Sequence, residues 1–130
     1  MAVPADYKFT KTHEWVKIDG DIATIGITEF AQSELGDITY LELPGAGTAV
    51  RQSEPFGVVE SVKAASDVYA PISDQVVEEN NAAIDAPEVV NASPFTDAWL
   101  IKVRVNDTSQ LDSLLDAAAY EKLVAESGGH

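Results

Sequence analysis

Hydrophobic and polar positions alternate in short runs along most of the chain, a period of two that predicts half-buried β-strands. Residues 13–18 (HEWVKI) and 21–27 (DIATIGI) form one such pair. Asp19-Gly20 separates them and supplies the positive φ of a tight hairpin. Thr28 can cap a short helix through Leu35, with Phe30, Ala31 and Leu35 turned inward and Gly36 ending it. Alternation resumes at residues 38–43 (ITYLEL) and stops at Pro44-Gly45, with Gly47 close behind. Strand patterns follow at 56–62 (FGVVESV), 67–70 (DVYA) and 75–79 (QVVEE). Residues 80–90 predict weak helix interrupted at Pro87. Residues 98–105 (AWLIKVRV) alternate most clearly, with Trp99, Ile101, Val103 and Val105 on one face. The tail turns helical: Leu111, Leu114 and Leu115 follow a Thr108/Ser109 cap, then Asp116 caps a segment bearing Tyr120, Leu123 and Val124. Gly128-Gly129 ends it. Many short strands with a helical tail predict a small β-sandwich or flattened barrel, with no linker long enough to divide residues 1–130.

The chain has 130 residues, 45% of them hydrophobic, enough for one core. The absence of cysteine excludes disulfides, cysteine nucleophiles and thiolate metal sites. No apolar run approaches the roughly 20 residues of a membrane span. Eight basic against 22 acidic residues give −14, a sign repelled by nucleic-acid backbones and anionic membranes. The charge is uneven. Residues 1–51 carry eight acids and four bases (−4), residues 102–130 five and three (−2), and residues 52–101 nine and one (−8). That one base is Lys63. Neighbouring carboxylates favour its ammonium form, which opposes use as a neutral amine.

Lys63 lies in the string Glu60-Ser61-Val62-Lys63-Ala64-Ala65-Ser66-Asp67, between two strand patterns. The small Lys63–Ser66 stretch predicts a hairpin tip with nothing bulky beside the lysine, a geometry suited to covalent attachment by an enveloping enzyme. An ordinary solvated lysine is the bland alternative for the residue taken alone.

Over nearly its whole length the chain resembles the glycine cleavage system H protein family, a group of lipoyl-bearing carriers. The matching pieces are KTHEWVKIDGDIATIGIT (11–28), AQSELGDITYLELP (31–44), GVVESVKAASDVYAPIS (57–73), VNASP (90–94), WLIKV (99–103) and LLDAAAYEKL (114–123). Each is ordinary alone; in this order and spacing they are specific. The resemblance implies a mainly β barrel-sandwich hybrid of two small antiparallel sheets, a single lipoyl-carrier domain with its core at about 7–105 and a helical C-terminal segment at about 108–126. It also implies covalent lipoate on Lys63, with Glu60 three residues before and Gly47 sixteen before recognised by the attaching enzyme. Biotin carriers of similar fold flank their lysine with methionines, whereas here the neighbours are Val62 and Ala64. The family usually has Gly-Glu where this chain has Asp74-Gln75, and glycine where it has Ala98. Aspartate tolerates left-handed turn geometry, so the turn is expected to survive.

The implied function is that of a carrier in glycine catabolism and one-carbon metabolism, not an enzyme. The lysine-borne lipoyl group receives an aminomethyl unit at a pyridoxal-phosphate (PLP) glycine decarboxylase and passes it on at a tetrahydrofolate-dependent aminomethyltransferase. An FAD-dependent dihydrolipoyl dehydrogenase then reoxidises the group. In the family the loaded arm folds into a surface cleft, whose matching positions are Thr12, Glu14 and Asp67. Glu14 as an exposed strand residue and Asp67 as a turn cap are the simpler alternatives. No catalytic residue is expected, and His13, the sole histidine before His130, lacks partners for a metal site or triad and reads as a strand-surface residue. Glu78-Glu79 reads as a solvated face, and Trp15, Trp99, Phe56 and Tyr69 as packing. Gly45-Ala46-Gly47 lacks the helix of a phosphate loop. A lipoate relay or an unmodified interaction module are the other functions the string allows; a Schiff-base lysine is disfavoured by the acidic surroundings. The expected chain is a monomer. A start at Met1 without an Arg-rich transit segment points to a bacterial cytoplasm, or to the mitochondrial matrix for a processed organellar form.

Overall fold

The computed structural model describes residues 4–126. The Gly128-Gly129 stop expected at the tail lies outside the described residues. Among the described residues, nine strands and four α-helices follow the order β1 (Lys8–Phe9), β2 (Glu14–Asp19), β3 (Ile22–Ile27), α1 (Glu29–Leu35), β4 (Ile38–Glu42), β5 (Ala49–Val50), β6 (Pro55–Ser61), β7 (Ala65–Tyr69), β8 (Asp74–Glu79), α2 (Asn81–Asp85), α3 (Val89–Ala92), β9 (Ile101–Arg104) and α4 (Ala117–Glu126). A 3-10 helix, Thr108–Ser113, precedes α4. Six strands make one sheet in the order β1-β2-β3-β9-β8-β5, and β4-β6-β7 make the other. All these strand pairs are antiparallel. The fold is therefore mainly β, two antiparallel sheets with short helices between strands.

Local chemistry explains the boundaries. Thr28 Oγ1 accepts the Ala31 N–H to start α1, and Gly36, at φ +81°, ends it by donating its N–H to Gln32 O. Pro87 separates α2 from α3, as its missing N–H requires. The β2–β3 hairpin pairs Asp19 with Ile22, so the turn is Gly20-Asp21, one residue later than expected, with Gly20 at φ +65°. The 3-10 helix is capped by Asp107, whose carboxylate accepts the Ser109 N–H, and not by Thr108/Ser109 themselves. Asp116 does cap α4, through Ala119 N–H at 2.8 Å.

Two differences alter the picture near the candidate lysine and the last strand. β7 begins at Ala65, where the small residues Ala65 and Ser66 pair with Glu60 and Val59. The tip is thereby confined to Val62-Lys63-Ala64, starting one residue and ending two residues earlier than the expected Lys63–Ser66 turn. The last strand starts only at Ile101. Ile101, Val103 and Val105 share one core cluster, but Trp99 belongs to another and Leu100 is buried in a third. The chain ahead of the strand is irregular there, so alternation does not extend back to residue 98.

Burial follows the two sheets. Val16, Ile25, Ile72, Val76, Ile101 and Val103 fill the core of the larger sheet. Leu41, Val59, Val68, Val90 and Leu100 fill the space under β4-β6-β7, and half-buried Phe56 packs against both groups. A third cluster holds Phe9, Trp15, Phe30 and Tyr120, with Phe9 and Tyr120 stacked at 4.7 Å, so α4 closes over the start of the chain. Trp15 Nε1 donates to Pro94 O at 2.8 Å, which supports its assignment to packing.

Gly57 sits where β6 crosses β4: a Cβ there would lie 2.4 Å from the backbone oxygen of Glu42. Backbone cannot swing aside as a side-chain end can. Gly57→Ala is expected to lower the unfolding free energy by about 1–3 kcal/mol, read from the urea midpoint; an unchanged midpoint would contradict this packing of β4 on β6.

Candidate functional site

The hairpin between β6 and β7 carries Lys63 on its tip. Ser61 organises the turn: its N–H donates to Ala64 O at 2.7 Å, and its Oγ accepts the N–H of Lys63 at 3.3 Å and of Ala64 at 3.1 Å. Lys63 and its neighbours Val62 and Ala64 are exposed, Val62 to 70%. Among the described residues Lys63 forms no salt bridge; the ion pair found is Lys102–Glu78 at 3.9 Å. The tip is braced from the side by the α1–β4 corner. Val62 N–H donates to Asp37 O at 3.1 Å, and Lys63 Cε stands 3.8 Å from where a Gly36 Cβ would be. Asn91 fixes that corner in turn, donating Nδ2 to Gly36 O and Gln32 Oε1 and accepting the Ile38 N–H. Asn91 lies in the string VNASP (90–94), whose residue pattern gives it no role; only the fold reveals what it ties.

A cleft of about 480 Å³ opens at the other end of β7. Its walls are the Phe9–Thr12 turn with Glu14, the Tyr69–Pro71 segment, Gln52-Ser53, and the Ser113–Leu115 segment. The C-terminal wall is fastened by paired backbone bonds between Phe9 and Leu115, 2.7 Å each way, and by Gln52 Nε2, which donates to Pro71 O and Ser113 Oγ. Nothing in the residue pattern marks this tail as part of a cleft.

Glu14 is the acidic group of the cleft and is 1% exposed, whereas the other charged lining residue, Lys11, is exposed at its rim. The exposed-strand alternative is thereby overturned. Its Oε1 accepts the hydroxyls of Thr10, at 2.6 Å, and Thr12; its Oε2 accepts the Tyr69 N–H at 3.2 Å. Burial pushes its carboxyl above the ordinary 4.5, while the hydrogen bonds from Thr10, Thr12 and Tyr69 pull it back. Thr12 and Glu14 thus come together as expected. Asp67 does not join them: it is exposed, pairs with Val58, and is absent from the cleft lining. It lies on the same face of β7 as Tyr69, one strand period nearer the lysine. Nor does it cap the hairpin, being a strand residue.

His13, expected on a strand surface, is a half-buried turn residue at φ +72°. Its Nδ1 lies 2.9 Å from the Tyr120 hydroxyl, which also contacts Thr28 Oγ1 at 2.6 Å. Burial lowers the imidazole from its ordinary value, against the pull of Glu34, and drives the Tyr120 phenol up to about 12. Among the described residues no three His, Asp or Glu side chains gather as a metal site.

Glu60 is half-buried on the outer face of β6, paired with Ala65 at the base of the tip. Gly47 lies in the β4–β5 loop at φ +94°, its N–H on Val76 O at 2.7 Å and its carbonyl accepting from Gln75 Nε2 at 3.0 Å. Asp74-Gln75 opens β8, and Asp74 does not take a left-handed φ, so no special turn geometry is asked of it. Glu79 is not merely solvated: its Oε2 accepts the Ala46 N–H at 2.8 Å and holds the Gly45–Gly47 loop.

The family profile described as Glycine cleavage H-protein matches residues 7–127. A glycine cleavage system H protein of Staphylococcus carnosus is 55% identical over 126 residues, 97% of this chain and 100% of its own length. One from Halorhodospira halophila is 54% identical, covering 97% of this chain and 98% of its own. The crystal structure of a glycine cleavage system H protein from Mycobacterium marinum superposes with a TM-score of 0.85 at 36% identity, covering 97% of this chain and 99% of that one. The chain belongs to the glycine cleavage H-protein family and is a carrier component, not a catalytic enzyme. No helix among the described residues is long and apolar enough to cross a membrane.

Because the folded carboxyl of Glu14 is raised, the native state binds the extra proton. Its contribution is complete below pH 4.5 and is lost as pH rises through the folded value. Urea midpoints of wild type and Glu14→Gln, taken from pH 4 to 7, are therefore expected to converge or cross as pH rises, with wild type losing ground. Parallel curves would contradict the raised value.

Proposed function

We propose that Lys63 carries covalent lipoate and that the Glu14 cleft shelters the charged end of the loaded arm. The observation that carries this reading is the placement of two ends of one strand. Ala65, two residues past the lysine, and Tyr69, whose N–H holds Glu14, are four residues apart on β7, about 13 Å at ordinary strand rise. A lipoyl-lysine puts roughly a dozen bonds between Cα and the dithiolane, a comparable reach.

The residues suit the group. An exposed lysine with a stiff base and, among the described residues, no ion pair can enter the pocket of an attaching enzyme, with Glu60 and Gly47 as the recognition positions. Glu14, backed by Thr12 and approached past Asp67, offers a carboxylate to an ammonium-bearing ligand. Bound lipoate supplies a reducible disulfide able to carry a one-carbon amine; the protein holds its anchor, orients it and keeps water from its far end. The partners are a PLP-dependent glycine decarboxylase, a tetrahydrofolate-dependent aminomethyltransferase, an FAD-dependent dihydrolipoyl dehydrogenase and the lipoate-attaching enzyme. The chain works as a monomer in a bacterial cytoplasm, as one lipoyl-carrier domain.

Lys63→Arg keeps the charge and removes the acylable amine. With glycine decarboxylase it is expected to reduce exchange of the glycine carboxyl with bicarbonate to the level seen without carrier. Stability should change by less than about 0.5 kcal/mol, since the side chain is exposed. Retained exchange would overturn the assignment, and a large fall in melting temperature would contradict the exposed tip.

A further inference from the structure

A carboxylate this buried needs something to hold it charged and aimed. The hydrogen bonds around Glu14 are distributed unequally. Thr10 and Glu14 are joined by three of them: Thr10 N–H to Glu14 O at 2.9 Å, Glu14 N–H to Thr10 Oγ1 at 3.0 Å, and Thr10 Oγ1 to Glu14 Oε1 at 2.6 Å. A hydroxyl has one proton. Having accepted the Glu14 N–H, Thr10 Oγ1 directs that proton at the carboxylate. Thr12 spends its own proton on the same Oε1, so the 3.1 Å approach of the two hydroxyls leaves no donor between them. Oε1 thus has two hydroxyl donors, whereas Oε2 accepts the peptide N–H of Tyr69, itself a cleft residue, and Glu14's own N–H, which also favours the carboxylate, has its hydrogen bond on Thr10 Oγ1. A carboxylate oxygen can accept two hydrogen bonds. The vacant acceptor position is therefore on Oε2.

The turn that brings these groups together is strained. His13, between Thr12 and Glu14, has φ +72°, and its N–H donates to Thr10 O at 3.2 Å. A non-glycine residue persists in this strained region only where surrounding contacts enforce it. Thr10 provides both the main-chain closure and the hydroxyl. It is half-buried, whereas Thr12 is exposed and water can replace its hydroxyl.

We propose that Thr10 is a positioning residue of the cleft: it occupies Oε1, fixes the Glu14 rotamer, and leaves Oε2 as the acceptor for a cationic amine. This rests on the cleft reading above and adds to it a residue outside the Thr12, Glu14 and Asp67 set.

Two measurements on the full chain separate the two ideas. In the unlipoylated protein, with carboxyl-13C glutamate and the Glu14 resonance assigned by its loss in Glu14→Gln, Thr10→Val should raise the Glu14 titration midpoint by about one pH unit. Thr10→Ser should leave it in place, and Thr12→Val should move it less than Thr10→Val. If Thr10→Val does not fold, Thr10→Ala carries the same expectation. An unmoved midpoint in the folded variant, or an equal shift in Thr10→Ser, would overturn the proposal. In the lipoylated, aminomethyl-loaded protein, release of formaldehyde and ammonia should quicken several-fold in Glu14→Gln and in Thr10→Val, but not in Thr10→Ser. Release as slow as wild type in Glu14→Gln would sink the cleft reading itself. Fast release there with slow release in Thr10→Val would sink the role of Thr10 alone.

Discussion

The pairing of β6 with β7 is the constraint on which the rest of the molecule depends. Register fixes Glu60 against Ala65 and Val59 against Ser66. A slip of one residue would turn Val59 and Val68 out of the core and point their neighbours in. The same register determines both functional ends. At one, Ser61 closes a tip so short that Lys63 has nowhere to go but outward. At the other, Tyr69 delivers its N–H to Glu14. Anchor and cleft are therefore placed relative to each other by a strand's rise and not by a flexible loop.

Around that strand the remaining elements act as braces. The α1–β4 corner, tied by Asn91, steadies the tip. The N-terminal turn and the C-terminal segment, zipped at Phe9–Leu115 and locked by the Tyr120 hydroxyl on His13 and Thr28, build the cleft walls. The chain's excess of acid is mostly solvated. Glu14 is the exception, held inside by donors that make a buried charge tolerable. An exposed, unpaired cation and a buried, well-donated anion at the two ends of one strand define the electrical character of the site.

Much of this was legible in the sequence where the physics is local. The α1 helix and its Thr28 and Gly36 caps follow from capping chemistry, the β2–β3 hairpin from Asp19-Gly20, one residue ahead of the actual turn, and the isolation of Lys63 from counting charges. Elements with weak local signals were placed less well. Ala65 and Ser66 have little strand propensity, so their pattern extends the tip two residues too far; pairing with β6 overrides their preference. Alternation sets Trp99 on the face of Ile101, but the chain before Ile101 is irregular and the period does not reach back to it. The burial of Glu14 was beyond reach, because it needs Thr10, four residues away, and Tyr69, 55 residues away, to converge. Resemblance pointed to position 14; only the assembled fold shows why a carboxylate can live there. Resemblance groups Asp67 with it, and the fold keeps Asp67 out of the cleft, one strand period from Tyr69.

The central claim is that one lysine, presented on this hairpin, is the point of attachment. Intact mass and peptide mapping of the folded chain, before and after incubation with a lipoate ligase, lipoate and ATP, test it most directly. The account predicts a single lipoyl-sized increase confined to the peptide containing Lys63. No increase on a folded chain, or an increase on any other lysine, would contradict it.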